Sequence, residues 1–542
     1  SAALAASAQM IWRLWIDDTD IETSSRVWID RRRWHRARQV GQIGAIKYAE
    51  WERGVRRGTC SASRTAVPCT SADDTFRSPP EPRIQLTESA KRWTLIGSIL
   101  GSGAVFIEGS VTNVALPAIA RDLHLGITGL QWTMNGYLLT LSALILLGGA
   151  LGDRFSRRKV FAWGLIVFAA ASLGCAIAPS LLLLVIARVL QGIAGGLLVP
   201  NSLALLESTF TGEARGAAVG HWASWSAVST AIGPLLGGWI VDAASWRFVF
   251  VIMVPVAIAG AIAITVAGRS AKEEAQSTAT VDYSGAALMT LGLAAIVGAL
   301  MLGPGRGFTT LYPVSLGIAG IVMVFAFVFV ESRTKDPLLP IETFASREFS
   351  GVNAATFVVY AALTGLMFLL MLELQNVLGY SALAAGASLM PINILMLIIS
   401  PMAGRMAERR GARLPMAGGS LIAAVGMLLF ALVRPGATYL TSVLPAAVVF
   451  GLGLSFLVAP LTTVALAALG AKRAGLASGV NNSEARVAGL LATAIIPLAA
   501  GLGGAQKLSG ATLVDGFVRA MFICAGLCAV GSVISLFTMR GR

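Results

Sequence analysis

The chain has 542 residues, of which 56% are hydrophobic and only 13% are charged, and its mean hydropathy is +0.74. Because about 25% of the residues in an ordinary soluble domain are charged, this composition argues against a soluble enzyme and against a disordered chain. The apolar runs are also too long for the alternating strands of an outer-membrane barrel. The sequence therefore indicates a polytopic helical membrane protein.

Residues 1–92 form a polar and basic N-terminal extension. They hold 16 of the 42 Lys and Arg residues and 11 of the 28 Asp and Glu residues. They lack the successive charged, apolar and small-residue regions of a signal peptide. We expect a poorly ordered extension with no packed role. The alternative is an interfacial segment that Trp and Arg side chains hold on anionic lipid.

Fourteen apolar runs follow, each of about the 20 residues that a transmembrane helix requires. We predict spans at 93–117, 130–150, 160–178, 181–206, 214–240, 247–268, 283–303, 312–331, 351–373, 383–402, 412–433, 437–461, 476–503 and 514–538. An even number of spans places both ends of the chain on the same side of the membrane.

The distribution of basic residues predicts the orientation of these spans. The loops after the even-numbered spans, with the C-terminal tail, hold 18 Lys and Arg residues, whereas the loops after the odd-numbered spans hold six. Because short cytoplasmic loops are enriched in Lys and Arg, we predict a multi-pass inner-membrane protein with both termini cytoplasmic. The net charge of +14 is then explained mostly by basic residues on the cytoplasmic side of the membrane. We expect the lipid bilayer as a partner and no nucleic acid.

Two basic loops repeat at an interval of 255 residues. The loop GALGDRFSRRK begins at Gly149, and the loop GRMAERRGARL begins at Gly404. Their alignment pairs Gly149 with Gly404, Asp153 with Glu408, Arg154 with Arg409 and Arg158 with Arg413. Duplicated membrane halves are typical of transporters whose substrate site lies between the repeats. The repeat therefore favours a transporter and argues against an enzyme.

The first of these loops resembles the G-x-x-x-D-R-x-G-R-R signature of the major facilitator superfamily. Four further stretches are similar to its fourteen-helix drug:proton antiporter branch: EGSVTNVALP from Glu108, RVLQGIAGG from Arg188, GPLLGG from Gly233 and GVNNSEARVAG from Gly479. The resemblance implies an all-α polytopic major facilitator fold. Its two six-helix bundles would occupy 93–268 and 351–538, with two inserted central helices at 283–331.

Three positions depart from the pattern of that branch. Glu108 stands where Asp is usual, Ser156 replaces the second Gly of the loop signature, and Met253 replaces an Asn. Glu108 keeps a titratable carboxylate, so the coupling chemistry can persist. Ser156 would cost about 1 kcal/mol if its turn requires a left-handed backbone.

Glu108 lies well inside the first span, where an ionisable side chain is expensive unless it faces a cavity or a partner. The same helix face carries small residues at Gly97, Gly101, Ala104 and Thr112. Arg188 is the natural counter-charge, and the resemblance implies that Glu108 and Arg188 couple transport to protons. The alternatives are a structural carboxylate and an Arg that reaches the interface from a helix end.

The resemblance also assigns roles to the loops and to the fifth span. The charged residues of the two repeated loops would gate the cytoplasmic side, although the same residues serve equally as cytoplasmic anchors. Gly233, Pro234, Gly237 and Gly238 would form the antiporter motif, although a Gly-Pro kink is common in membrane helices. The polar side chains that we expect at an internal cavity are Asn113, Gln191, Asn481, Asn482, Glu484 and Arg486. For the last four, the alternative is a cytoplasmic extension of their helix.

We predict a proton-coupled efflux antiporter that exports hydrophobic or cationic small molecules of the multidrug type by alternating access. The alternatives are a dedicated exporter of one metabolite and a membrane anchor or signalling protein without transport. The sequence contains no GxxxxGK[ST] string for ATP, and we expect no catalytic residues, metal or cofactor. It leaves open whether a periplasmic adaptor takes part.

Overall fold

The computed structural model describes residues 87–268, 281–335, 337–470, 473–506 and 510–539. Within these ranges the regular secondary structure is entirely helical. Each predicted span corresponds to one long helix, with short connections between them. The prediction for residues 1–86 of the N-terminal extension lies outside the described residues.

The first six helices hold the Glu108 and Arg188 motifs and the first repeated loop. They are α1 (Glu88–Asp122), α2 (Ile127–Phe155), α3 (Arg157–Ile177), α4 (Leu181–Thr209), α5 (Gly212–Ala243) and α6 (Phe248–Gly268). The inserted pair is α7 (Tyr283–Arg306) and α8 (Leu311–Glu331). A 3-10 turn at Ile341–Ala345 then leads into the second half.

The last six helices contain the second repeated loop. They are α9 (Arg347–Asn376), α10 (Ala382–Arg410), α11 (Arg413–Phe430), α12 (Tyr439–Ala467), α13 (Ala474–Ala499) and α14 (Ala511–Thr538). Helix α10 is interrupted after its first turns at Ala387, and α12 opens with a wide π-type turn at Tyr439–Val443.

Several helices extend beyond the apolar runs that predict them, and α1 does so most clearly at its start. It begins at Glu88, five residues before the predicted span. The side chain of Thr87 accepts a hydrogen bond from the backbone N–H of Ala90 at 3.2 Å, and Lys91 pairs with Glu88 at 2.7 Å. A side-chain cap and an i,i+3 ion pair stabilise a polar first turn that hydropathy cannot detect.

Twelve of the fourteen helices among the described residues are long and apolar enough to cross a membrane on those criteria alone. The other two are α5 and α13, which contain 32 and 26 residues and so have sufficient length. Helix α5 contains Glu213 and Arg215, and α13 contains Glu484 and Arg486. Both helices pack on the first helix of their own half, α5 on α1 and α13 on α9. Glu213 and Arg215 are exposed at the start of α5, whereas Glu484 and Arg486 are partly buried within α13.

The packing repeats between the two halves and confirms the predicted fold. Helix α1 packs on α5 and α6 as α9 packs on α13 and α14. Helices α2 and α3 pack on α4 as α10 and α11 pack on α12, and α3 contacts α6 as α11 contacts α14. Helices α7 and α8 pack on each other, and α7 also contacts α2 and α13. The described part of the chain is therefore built from two similar six-helix bundles with an inserted pair.

The two repeated loops adopt the same unusual backbone at equivalent positions. Ser156 has φ +92° and ψ 115°, and Gly411, 255 residues later, has φ +88° and ψ 154°. A side chain is strained at such a positive φ, whereas Gly is not. The turn therefore holds Ser156 at a positive φ, as the predicted strain requires.

This strain predicts opposite effects of exchanging the two residues. Ser156→Gly should raise the free energy of unfolding by about 1 kcal/mol, and Gly411→Ser should lower it by about the same amount. Unfolding of the purified variants in one detergent measures both. Equal stability of Ser156→Gly and the parent protein would show that this turn is unstrained.

Candidate functional site

A buried ion pair joins α1 to α4. The guanidinium Nη1 of Arg188 lies 2.5 Å from Oε1 of Glu108, and both side chains have 0% exposed surface. The hydroxyl of Thr112 donates to the same Glu108 oxygen at 2.8 Å. Arg188 also donates to the side-chain oxygen of Gln191 at 2.7 Å and to the backbone oxygen of Thr133 on α2 at 3.1 Å. The structure therefore brings together three of the predicted polar residues.

Aromatic rings and closely packed helices exclude water from this pair. The guanidinium carbon of Arg188 lies 4.4 Å from the ring centre of Tyr137 and 5.8 Å from that of Phe250. Gln191 is held in turn by a hydrogen bond of 2.9 Å to the hydroxyl of Ser172. Complete burial rules out the alternative in which Arg188 extends from a helix end to the interface.

The stability of this ion pair depends on the negative charge of Glu108. One oxygen of Glu108 and one nitrogen of Arg188, Oε2 and Nη2, are buried without a hydrogen-bond partner among the described residues. Breaking a buried pair by neutralising one partner typically costs about 3–5 kcal/mol, because the other charge stays buried. Addition of a proton to Glu108 would therefore destabilise this arrangement of α1, α2 and α4.

The glycines of the predicted antiporter motif allow α5 to touch two other helices. A Cβ atom on Gly233 would collide with Ser110 of α1, and one on Gly237 would collide with Val111 of α1. A Cβ atom on Gly238 would lie 2.5 Å from the backbone oxygen of Ala382, at the start of α10 in the other half. The motif therefore forms a seam between the halves as well as a contact within the first half.

Asp242 strengthens the seam one helical turn beyond Gly238. Its two carboxylate oxygens accept hydrogen bonds from the backbone N–H groups of Ala382 and Leu383, at 3.0 Å and 2.8 Å. These N–H groups belong to the first turn of α10, where helix donors lack partners within the helix. An acidic side chain of one half therefore caps a helix of the other half.

Two glutamine side chains join the halves near the same end of the helices. The side-chain nitrogen of Gln131 on α2 donates to the backbone oxygen of Thr493 on α13 at 2.8 Å. That of Gln375 on α9 donates to the backbone oxygen of Val114 on α1 at 2.9 Å. We call the end of the helices that contains these bonds and the Asp242 seam the closed end; it is the end at which α1 ends and α2 begins.

The predicted polar residues of α13 contact helices of both halves. Asn481 donates to the side chains of Asn353 and Thr356 on α9, at 2.9 Å and 2.8 Å. The guanidinium of Arg486 lies 5.9 Å from the ring centre of Phe106 on α1, across the boundary between the halves. Phe106 also makes an edge contact with Trp222 of α5, at 6.4 Å between ring centres. This placement excludes the alternative in which the polar part of α13 is only a cytoplasmic extension.

Three other residues predicted at the cavity are Asn113, Asn482 and Glu484. Within the described residues, the side chains of Asn482 and Asn113 donate to the backbone of their own helices, at Ser478 and Gly109. Oδ1 of Asn113 and Oε2 of Glu484 are buried without a hydrogen-bond partner among the described residues. These atoms are therefore available to a polar ligand.

The predicted gating loops lie at the opposite end from the closed end. Asp153 pairs with Arg157 of its own loop at 2.7 Å, and Arg157 also donates to the backbone of Ala204 on α4 at 3.1 Å. Arg154 lies over the ring of Phe155. The glycines are placed symmetrically, with Gly149 against α4 at Pro200 and Gly404 against α12 at Ala459. The predicted role of Arg158, Glu408, Arg409 and Arg413 in a gate stays a prediction.

Comparison with known proteins decides the family. A family model described as Major Facilitator Superfamily matches residues 98–493. The chain belongs to this superfamily. Multidrug resistance protein Stp of Mycobacterium tuberculosis (strain CDC 1551 / Oshkosh) is 31% identical over 407 residues, which cover 74% of both chains. Puromycin resistance protein pur8 of Streptomyces alboniger is 34% identical over 409 residues, covering 74% of this chain and 80% of the relative.

Solved structures of other transporters have the same fold at low sequence identity. A peptide transporter POT in complex with sulfate matches with a TM-score of 0.61 at 15% identity, covering 82% of this chain and 93% of that one. A bacterial homolog of the human lysosomal transporter Spinster, in an inward-facing and unoccupied conformation, matches with a TM-score of 0.58 at 14% identity, covering 83% and 97%. These similarities support the architecture alone.

In this major facilitator the sequence did not reveal Asp242, Gln131 and Gln375, whose hydrogen bonds join the halves at the closed end. Asp242 offered one weak signal, because it is an acid one turn after the motif glycines on the same helix. Gln131 and Gln375 offered none, since their partners are backbone oxygens of distant helices.

Proposed function

We propose that this protein exports hydrophobic or cationic small molecules from the cell in exchange for protons. The names of its relatives support export of toxic compounds, since they include a multidrug resistance protein, a tetracenomycin C resistance and export protein and a puromycin resistance protein. The single observation that carries proton coupling is the buried pair of Glu108 and Arg188. The carboxylate of Glu108 is shielded from solvent, and the permanently charged guanidinium of Arg188 is paired with it.

In the proposed cycle, protonation of Glu108 changes the preferred conformation. A neutral Glu108 leaves Arg188 buried without a counter-charge, at a cost of about 3–5 kcal/mol. A rearrangement of α1, α2 and α4 that brings water or another anion to Arg188 removes that cost. Loss of the proton restores the pair and the arrangement seen here. A proton can therefore bias two conformations by a free energy that is sufficient to switch them.

We propose that cargo binds between the halves near Phe106. Phe106, Trp222 and Arg486 form a group of two aromatic rings and a cation that spans α1, α5 and α13. Rings of this kind bind flat hydrophobic molecules and stack on organic cations. Glu484 lies on the same helix as Arg486, and its unpartnered oxygen can accept a hydrogen bond from an amine.

The two ends of the bundle would open in turn. The distribution of basic loops predicts that the closed end faces outward. The conformation described here would then release protons to the cytoplasm and receive cargo from it. The charged loops at the other end would pair when that end closes. The proposal places the protein in the cell membrane with both termini cytoplasmic.

This topology makes a direct prediction. A reporter fused after Arg542 should behave as cytoplasmic, and a reporter inserted near Gly305, at the end of α7, should behave as external. Alkaline phosphatase and fluorescent protein fusions, which are active on opposite sides of the bacterial inner membrane, measure both positions. External labelling of the C-terminus would contradict the orientation.

Drug susceptibility of an expressing strain tests the proposed function. The protein should raise the inhibitory concentrations of ethidium, puromycin and tetracenomycin C in a host that lacks its own exporters, and Glu108→Gln should not. A protein that protects against one compound alone would be a dedicated exporter instead. Unchanged susceptibility to all of them, despite correct insertion, would reject multidrug export.

Two further comparisons separate transport from the remaining alternatives. Deletion of residues 1–86 should preserve resistance, because the transport machinery begins at α1. Loss of resistance in a well-inserted deletion protein would give the extension an essential role. Recovery of the compounds outside the cell in unmodified form would distinguish export from an enzymatic inactivation.

A further inference from the structure

Two buried carboxylates lie close together where the inserted pair of helices leads into the second half. Asp282 directly precedes α7, and Glu331 is the last residue of α8. Their exposed fractions are 8% and 2%. A Cβ atom placed on Gly285 would lie 2.7 Å from Oδ2 of Asp282 and 2.8 Å from Oε1 of Glu331. The two oxygens therefore converge on one point, and Gly285 leaves room for them there.

The other oxygen of each carboxylate accepts hydrogen bonds from nearby groups. Oδ1 of Asp282 accepts from the backbone N–H of Gly285 at 2.8 Å and from the hydroxyl of Ser284 at 2.5 Å, so Asp282 caps α7. Oε2 of Glu331 accepts from the backbone N–H of Leu339 at 3.1 Å. Leu339 lies in the connector from α8 to α9. Neither carboxylate can therefore turn away from the other without losing a hydrogen bond.

The two converging oxygens have no neutralising partner among the described residues. Helices α2, α8 and α13 pack on α7, and the connector follows α8. The other titratable and charged side chains of these elements, of α7 and of the connector are Tyr137, Asp153, Arg154, Tyr283, Arg306, Tyr312, Arg333, Lys335, Glu342, Glu484 and Arg486. Within the described ranges, none of them forms a hydrogen bond or ion pair with Oδ2 of Asp282 or Oε1 of Glu331. Arg333 instead lies over the ring of Phe329, 4.3 Å from its centre, and Lys335 is exposed.

This arrangement favours one bound positive charge, and its ligands fit a proton. Two carboxylates that share a buried site resist ionising together, because each negative charge disfavours the other. A divalent cation such as Mg²⁺ or Ca²⁺ takes about six or more oxygen ligands, whereas this place offers two free oxygens and is closed to water. A proton needs only those two, since a protonated carboxyl group donates a hydrogen bond to an ionised one.

We infer that Asp282 and Glu331 bind one proton between them, and that this shared proton fastens the start of α7 to the end of α8 and to the connector. Pairing takes one proton from water, so that two carboxylates become one carboxylic acid hydrogen-bonded to one carboxylate. Loss of the proton reverses the step and leaves two negative charges side by side. The paired state binds one proton more than the separated state, so low pH favours pairing and rising pH favours separation. Neither Glu108 nor the exported compound enters this inference.

Infrared spectroscopy of the full-length protein in lipid nanodiscs counts the shared proton. The carbonyl band of protonated carboxyl groups should lose the intensity of one group in Asp282→Asn and in Glu331→Gln, and the double variant should lose no more than either. The new amide supplies the N–H donor that the remaining carboxylate needs, so no proton is taken up. Asp515→Asn and Glu342→Gln, at exposed positions, are the matched controls and should keep the band. Any other pattern in the folded variants, such as loss of two groups in the double variant or loss in one single variant alone, would overturn the inference.

Hydrogen exchange measures the fastening itself. Protection factors of backbone amides in residues 283–290 and 337–345, from which intrinsic pH effects are divided out, should fall by up to about tenfold per pH unit as rising pH removes the proton. They should stay constant with pH in Asp282→Asn, which retains a good helix cap. Equal slopes in this variant and the parent protein would overturn the inference. Added Mg²⁺ or Ca²⁺, or removal of both with EDTA, should leave the parent slope unchanged, and dependence on either ion would make this a metal site instead.

Discussion

Glu108→Gln is expected to abolish export against a gradient while leaving a folded protein. For a neutral cargo, one proton can sustain a gradient of a few hundredfold, because about 100 mV supplies about 2.3 kcal/mol and each pH unit about 1.4 kcal/mol. A glutamine cannot exchange a proton, so the accumulation ratio should fall to about one. Gradient-driven uptake into inverted vesicles measures it. Glu108→Asp should retain partial activity.

Glu108→Gln should lower stability as well as coupling, and further variants separate the two effects. Glu108→Gln leaves the charge of Arg188 without a partner and should lower the free energy of unfolding by about 3–5 kcal/mol. A second variant that combines Glu108→Gln with Arg188→Gln should recover much of that stability but none of the coupling. Glu213→Gln, an exposed acid on α5, is the control for the substitution itself. Uphill export by either Glu108 variant at the usual proton dependence would make Glu108 structural.

Gly238→Val is expected to reduce transport by at least about fivefold by preventing the closed end from shutting. The added carbons would overlap the backbone of Ala382 and Leu383 on α10, and overpacking of this kind typically costs about 1–3 kcal/mol, or about 5- to 150-fold in the closing equilibrium. The backbone on both sides belongs to helices, so it cannot easily move. Transport assays and the hydrogen exchange of residues 377–392 would both report the change.

Gly220→Val is the matched control for this prediction. Gly220 lies on the same helix, five turns earlier, and nothing lies within 4 Å of a Cβ atom placed there. The two variants have the same helix propensity cost. If Gly238→Val transports as well as Gly220→Val, the contact between α5 and α10 is not required in the cycle.

The fold could be predicted from the sequence because the membrane constrains the composition of each span separately. Every span needs about 20 apolar residues, so the fourteen runs corresponded to fourteen helices among the described residues. Helix ends such as Thr87 were missed, since side-chain caps and polar turns carry no hydropathy signal. The repeat was visible in two loops, and the packing of the two halves bears it out.

The site was partly predictable for a similar reason. A charge such as Glu108 or Arg188 within a span must find a partner, and the two were paired by that argument before the structure placed them 2.5 Å apart. The seam of Asp242 with α10 could not be found in this way. It depends on the register between helices about 140 residues apart in sequence, which no local pattern specifies.

The central claim is that export is driven by protons through Glu108. Purified protein should be reconstituted in liposomes that contain a pH-sensitive dye, with labelled puromycin and an imposed pH gradient. We predict that puromycin accumulates against its gradient, that protons move in the opposite direction, and that an uncoupler or Glu108→Gln stops both fluxes. Puromycin accumulation that continues unchanged after the proton gradient is collapsed would contradict the account.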